Sequence, residues 1–330
     1  MTTALRPTLA RCLWTTPLFA ALAVFVTIAV RAIFDMQPAT PITTLLTVAY
    51  IFGSVGFIVG IGGMDYWFTW IIGGELDPND HSQHGAHSWR DYFKFNTDHK
   101  VIGIQYVVFT FIMFLVGGMF AEVFRAELAR PGQQSISNGQ YNELISQHGV
   151  IMIFVFMVPV FAGIGNYVIP LMIGADDMAF PRLNAVSFWL LPLAGFILLS
   201  AWAFGSFNTG WTAYPTLQDQ SPFGQTLFQI GAIIAGSSSI ATAVNFLVTI
   251  VAMRAPGMTL FRMPLLCWAN LATSALVVAA TPFVAGALFM AMFDREMGTH
   301  FFTTEGGGTA LAYQHIFWFY SHPAVYIMVL

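Results

Sequence analysis

The stretch Tyr313-Gln-His-Ile-Phe-Trp-Phe-Tyr-Ser-His322-Pro-Ala-Val-Tyr326 decides what kind of molecule this is. It is an apolar segment of membrane length that nonetheless carries histidine, tyrosine and serine. In hydrocarbon such side chains persist when they are paired, line a wet cavity or bind something. His322 and Tyr326 are four residues apart, so on a helix they share a face with an axial offset of about 6 Å, close enough to serve one centre. Pro323 predicts a departure from ideal helix there, which membrane proteins tolerate where neighbours satisfy the freed carbonyl.

Outward from this segment the same apolar character continues. Of 330 residues, 57% are hydrophobic and 8% charged, against about 25% charged in a soluble domain. The composition predicts an all-α polytopic membrane bundle, and apolar runs of about 20 residues give about eight spans, near 13–34, 44–72, 101–124, 145–173, 186–204, 224–251, 264–293 and 312–330. A net charge of −4 without a basic run argues against nucleic acid. Cys12 and Cys267 sit in or beside apolar runs, which excludes a disulfide framework. The first run is long enough to remain as a span rather than be cleaved as a signal peptide.

Lysine and arginine bias sets the expected orientation. With the N-terminus inside, the inner ends carry Arg6, Arg11, Arg90, Lys94, Lys100, Arg182, Arg254 and Arg262, and the outer ends Arg31, Arg125, Arg130 and Arg295. Eight against four favours a cytoplasmic N-terminus. The last span then enters from outside, with His322 roughly 15 Å deep.

Taken in order, residues 1–95 read as an extension of two spans and a polar loop. His81, His84 and His87 at three-residue spacing could suggest a metal site, but Pro78 and Gly85 make this a solvated loop. Thr97 or Asp98 caps the next helix, with His99 expected to be solvated at its edge. That helix closes on Arg125, Glu127, Arg130 and Gly132, where snorkelling side chains compete with readings in which Arg125 holds the polar edge of a cofactor and Glu127 a cation. His148 lies just inside its span, either as a hydrogen-bonded bundle residue or as a ligand, and Gly149 leaves room for a flat group beside it. Asp176 and Asp177 make either an ordinary charged turn or the mouth of a proton path. Asn166, Asn184, Ser238, Ser239 and Asn245 are polar positions in apolar surroundings, explicable by interhelical hydrogen bonds or by a water-lined path. Trp211 and Tyr214 read as belt residues.

Together these segments resemble the catalytic-subunit family of the heme-copper oxygen reductases, the subunit I family of cytochrome c oxidases. The resemblance rests on Thr97-Asp-His-Lys100, Gln147-His148-Gly149, Pro170-Leu-Met-Ile-Gly-Ala-Asp-Asp177-Met-Ala-Phe-Pro-Arg-Leu-Asn184, Gly210-Trp211-Thr-Ala-Tyr214-Pro215, Met253-Arg-Ala-Pro-Gly-Met258, Gly298-Thr-His-Phe-Phe302 and His322-Pro-Ala-Val-Tyr326. They occur in the family's order and spacing over about 230 residues. The resemblance implies a boundary between an extension at 1–95 and an oxidase core at 96–330, the latter holding the first six helices of a twelve-helix core. It makes His148 an axial ligand of a low-spin heme, expected to be heme a, with Arg125 on that heme's substituent and Trp211 beside the propionates. His322 becomes one of three histidines on the active-site copper, facing a high-spin heme, and Tyr326 the tyrosine covalently joined to that histidine. Asp177 becomes the mouth of the D-channel, with Asn166, Asn184, Ser238, Ser239 and Asn245 along it. Glu127 and Gly132 match a peripheral calcium or sodium site.

One departure stands out. Ala324 occupies the place of the family's proton-branching glutamate, and Tyr320-Ser321 precede the histidine, as in a subgroup where those hydroxyls replace it. The implied activity is reduction of dioxygen to water with electrons from cytochrome c and outward proton pumping, in a bacterial plasma membrane. Implied partners are a copper-bearing subunit II, subunit III, and cytochrome c or a fused heme domain. The remaining copper and heme ligands are expected beyond Leu330, in a missing C-terminal half, so these residues alone would not turn over. A nitric oxide reductase of the same superfamily, disfavoured by Tyr326, and a cofactor-free proton-linked transporter are the alternatives.

Overall fold

Helix boundaries follow the local chemistry. Asp98 accepts from the backbone N–H groups of Lys100 and Val101 and so starts a long helix, α4 (His99–Glu127). A reciprocal Ser137–Gln140 capping box starts α5 (Asn138–Val150), satisfying two otherwise orphaned ends. A single π-helical stretch, Ile151–Met157, then joins α5 to α6 (Val158–Ile173), giving one 36-residue element. Such π turns are rare and cluster at functional sites. Further along are α7 (Pro181–Ser200), the short α8 (Leu217–Gln220), α9 (Gly224–Ala252), α10 (Leu265–Met297) and α11 (Ala310–Val329). Ahead of these lie α1 (Leu9–Ile33), α2 (Ile42–Ile61) and α3 (Asp65–Ile71).

This computed structural model describes residues 9–37, 41–74 and 85–330, and no strand occurs among them. His81, His84 and Arg6 lie outside the described residues. Among the described residues seven helices are long and apolar enough to cross a membrane, and the molecule is an integral membrane helix bundle. The eighth expected span, α11, is helical over its predicted length, although its composition keeps it out of that set. Pro323 lies inside α11 without ending it.

The expected span over 44–72 is in fact two helices. Gly62 ends α2 in the left-handed region, with φ 99°, where glycine meets no Cβ penalty. The chain then turns into α3, whose first residue, Asp65, receives two hydrogen bonds from Arg11 at 3.0 and 2.5 Å. Arg11 also donates to the Val59 carbonyl, so one guanidinium on α1 ties together the ends of α2 and α3. α2 and α3 lie along α7: the Tyr66 ring sits 3.9 Å under the Arg182 guanidinium at one end, Phe57 meets Trp189 further along, and Tyr50 donates to Ser200 at the other end.

The core lies among α4, α7, α9, α10 and α11. Without a strong hydrophobic drive between helices in lipid, small residues set the close contacts. At the α4–α6 crossing a Cβ on Gly163 would stand 2.6 Å from Cβ of Tyr106, and one on Gly103 would stand 2.9 Å from the Gly163 carbonyl. Gly163→Val should therefore push α6 off α4 and displace Tyr106, costing about 1–3 kcal/mol of overpacking strain. A thermal-unfolding midpoint within error of wild type for the purified variant would contradict this.

Candidate functional site

His148 projects from the last turns of α5, just before the π-helical stretch. Its Nδ1 lies 2.8 Å from the Gly117 carbonyl oxygen on α4. A carbonyl can only accept, so Nδ1 carries the proton and Nε2 is the basic nitrogen. This is the tautomer control seen at metal-bound histidines. Phe124 packs edge-on to the imidazole with ring centroids 5.6 Å apart. Next to it, a Cβ on Gly149 would stand 3.6 Å from Cβ of Trp211, so Trp211 lies over the backbone of the His148 turn.

Trp211 also reaches α11. Its ring centroid is 5.4 Å from that of Phe317 and 5.8 Å from that of Trp318. The hydroxyl of Tyr313 donates to the Thr212 carbonyl at 3.0 Å, and the Trp318 indole donates to the Tyr214 hydroxyl. The 210–215 loop thus clamps the start of α11 to the His148 end of the bundle. Trp211 and Tyr214, expected as belt residues, are partly buried joints in this clamp.

On α11, His322 and Tyr326 do share a face, with ring centroids 4.6 Å apart and planes at 62°. Both are exposed, Tyr326 at 52%. Tyr320 and Ser321 lie on the opposite, buried side. Tyr320 stacks on Phe154 of the π-helical stretch, and the Ser321 hydroxyl donates to the Phe317 carbonyl at 3.0 Å.

A column of polar groups runs from the other end of the bundle. Asp177 is 7% exposed, in the turn between α6 and α7, where its Oδ1 accepts from the Met178 N–H at 2.6 Å. Asn245 holds this turn by accepting from the Phe180 N–H and donating to the Phe180 carbonyl. Thr249 adds a bond from the Ala179 N–H. Behind the turn, Asn166 and Asn184 are fully buried. The side-chain oxygen of Asn166 and both polar atoms of the Asn184 amide have no protein partner. Buried polar atoms of that kind are normally met by ordered water.

His99 corrects the expectation of a solvated edge residue. It is 2% exposed, and its Nδ1–H donates to the Asn166 carbonyl at 2.9 Å. The burial arises because α4 and α6 cross closely at Gly103 and Gly163.

The column continues through Ser238 and through Tyr106, Ser187 and Thr242, which sequence reading did not single out. The Tyr106 hydroxyl meets the hydroxyls of Ser187, Ser238 and Thr242 at 3.0, 3.3 and 3.2 Å. Ser187 in turn donates to the Asn184 carbonyl at 2.7 Å. Ser238 belongs to this cluster, whereas Ser239 turns away, donates to the Ala235 carbonyl and lines a separate cavity of about 50 Å³ with Thr242 and Asn270.

Arg125 is exposed at the end of α4. Glu127, two residues on, is not a snorkelling side chain. Its carboxylate accepts from the backbone N–H groups of Gln134, Ser135 and Ile136, and the Gly132 carbonyl accepts from the Gln134 side chain. Three amides converging on one carboxylate are the surroundings of an anion. Among the described residues no group of three or more His, Cys, Asp or Glu could hold a metal by itself.

Comparison with known proteins identifies the family. The family described as cytochrome c and quinol oxidase polypeptide I matches residues 101–330. The chain is 51% identical over 250 residues to cytochrome c oxidase subunit 1 of Synechocystis sp., covering 76% of this chain and 45% of the relative. It is 50% identical over 247 residues to the protein of that name from Thermostichus vulcanus, covering 74% and 45%, and 41% identical over 259 residues to that from Corynebacterium efficiens, covering 77% and 44%. The chain spans about half the length of these relatives. The matched region starts within the first helix after the polar loop and takes in the His148 turn, the buried hydroxyl cluster and α11, so this chain belongs to the cytochrome c and quinol oxidase polypeptide I family.

Proposed function

We propose that this chain serves in the catalytic subunit of a terminal oxidase, where it supplies one axial ligand of a low-spin heme, one histidine of the active-site copper and the entry of a proton path. The observation that carries this reading is the His148–Gly117 bond. It fixes the imidazole as an oriented Nε2 donor, which suits iron; His99 makes a like bond but is 2% exposed, whereas His148 is only partly buried and has Gly149 leaving room beside it. When bound, the low-spin heme would supply one-electron transfer and the heme–copper pair the reduction of dioxygen.

Around those groups the chain's own residues do defined work. Gly117 holds the His148 proton on Nδ1. Gly149 leaves the backbone open, Trp211 fixes the distance between the His148 turn and α11, and Arg125 offers a guanidinium to a polar heme substituent. His322 presents an imidazole from the exposed face of α11, a ligand type suited to copper. Tyr326, in edge contact with it, offers a phenolic proton and electron to that centre.

For protons, Asp177 is the entrance. Asn166 and Asn184 solvate a water chain behind it, and the Tyr106 hydroxyl continues it towards Tyr320, while Ser187, Ser238 and Thr242 give their own protons to backbone carbonyls and act by holding that phenol. Ser321 spends its hydroxyl proton on the Phe317 carbonyl, so the relay role falls mainly on Tyr320. Asn245 acts by holding the entrance turn. Glu127 has no part in the proposal, because its carboxylate is already met by three amides.

In this reading the N-terminus is cytoplasmic, Asp177 faces the cytoplasm and His148 the outside, in a bacterial plasma membrane. Residues 1–95 are an extension on the oxidase core. Electrons arrive from cytochrome c, free or as a fused heme domain, through a copper-bearing second subunit; a third subunit and the rest of the catalytic subunit complete the assembly. The test is the visible spectrum of the purified complex. Paired low-spin and high-spin heme bands, of which one set reacts with carbon monoxide, are expected; a complex without heme absorbance would end the oxidase reading in favour of a transporter.

A further inference from the structure

An apolar groove of about 900 Å³ separates the first half of α1 from α4 and α7. Its walls are the first half of α1, the inner stretch of α4 and the middle of α7, with Phe57 of α2 at its side. α1 packs along α2 and stands off α4 and α7 across this space. The mouth is a 3₁₀ turn, Trp89–Phe93, whose Trp89 and Tyr92 line the opening. The Gln105 amide of α4 holds that turn in place by donating to the Tyr92 and Lys94 carbonyls, so the mouth is preformed.

Depth identifies the occupant. The lining residues of α4 run from Ile104 to Ile112, five to thirteen residues beyond the helix start at His99, or about 8 to 20 Å along the axis. A hydrocarbon core is about 30 Å thick, so the groove runs from the interface to about mid-membrane, the reach of one leaflet. A helix from another subunit needs a face across both leaflets; an acyl chain needs only one. Basic side chains stand at the mouth. Arg90 lies over the Trp89 ring with 5.6 Å to its centroid, and Lys94 donates to Asp91 at 2.8 Å. Two cations against one carboxylate leave the turn net positive, complementary to an anionic headgroup.

We infer that this groove is the binding site of an anionic phospholipid, with an acyl chain between α1 and the α4–α7 wall and its phosphate at Arg90 and Lys94. The lipid completes the packing of α1 on the bundle. This site is independent of the redox chemistry.

The test uses the complete oxidase complex in nanodiscs of equal parts phosphatidylglycerol and phosphatidylcholine, followed by detergent exchange and native mass spectrometry of retained lipid. Retention of phosphatidylglycerol, with tubular density in the groove by cryo-electron microscopy, is expected. Arg90→Gln combined with Lys94→Gln should reduce the preference for phosphatidylglycerol by about 30-fold, since two charges are removed. Val108→Trp, at an exposed position lining the groove, should expel the lipid while leaving the heme spectrum unchanged. Equal retention of the two lipids, unchanged retention in Val108→Trp, an isoprenoid quinone in place of phospholipid, or helix density in the groove would each overturn the assignment.

Discussion

His322→Ala in the assembled oxidase is expected to lose active-site copper and cut dioxygen reduction by more than about 100-fold, while the heme bands and the thermal stability stay near wild type. Substitutions that only loosen a metal's outer hydrogen-bonding shell already cost 10–100-fold, and removal of a direct ligand should exceed that. The expectation is clean because of where His322 sits. It lies on the exposed face of α11, against Tyr326 and away from the buried side that holds Tyr313, Phe317 and Tyr320. Truncation there opens no cavity in the described core, and exposed substitutions usually change stability by about 0.5 kcal/mol or less. Copper loss with an intact fold therefore reports ligation rather than misfolding. Tyr326→Phe is the companion variant: it keeps the ring beside His322 and removes only the hydroxyl, so copper should remain while turnover falls. Normal copper content in His322→Ala, measured by elemental analysis of the purified complex, would refute the role given to this residue.

Much of the fold could be read from local pattern because a membrane span is a local property. Apolar runs and the Asp98 cap are set by neighbours within a turn or two. The break at Gly62 escaped because hydropathy stays high through it. What fixes it is Arg11 reaching Asp65 from 54 residues away, a partner no window includes. His99 was misjudged for the same reason: its burial depends on α6 approaching through Gly163, and its acceptor lies 67 residues on.

Of the site, the residues with unusual chemistry for their surroundings were visible: His148, His322, Tyr326 and Asp177. Tyr106 was not, since a single phenol in a 29-residue apolar helix is unremarkable in sequence. It gains meaning only when Ser187, Ser238 and Thr242 arrive from 81, 132 and 136 residues away. Asn245 was visible as a polar position, but its contacts at Phe180 are tertiary and place it as a brace of the Asp177 turn. Ser238 and Ser239, adjacent in sequence, face different surroundings because successive helical residues are about 100° apart.

The second large effect concerns His148. His148→Ala should remove the low-spin heme bands and lower turnover by more than about 100-fold, since electrons would lose their entry point. The rival explanation is a bundle histidine whose ring merely bridges α5 to Gly117. That bond is worth about 0.5–1.5 kcal/mol, so the rival predicts modest destabilisation with the spectrum intact. Added imidazole separates the two. The alanine variant leaves a space beside Phe124 and keeps the Gly117 carbonyl, which can hold the N–H of a free imidazole as it holds His148 now. Imidazole present while the complex is assembled should then restore part of the low-spin absorbance, because the second nitrogen is presented in the same direction. A purely structural role has no reason to restore a heme band. Gly117→Val is a further control: it keeps the backbone acceptor but adds bulk where a Cβ would already stand 3.0 Å from the Met152 sulfur and 3.3 Å from Ile151. It should tilt the imidazole and shift the low-spin band without removing it. Retention of the full low-spin spectrum in His148→Ala would withdraw the axial-ligand role, and with it the observation on which the oxidase reading chiefly rests.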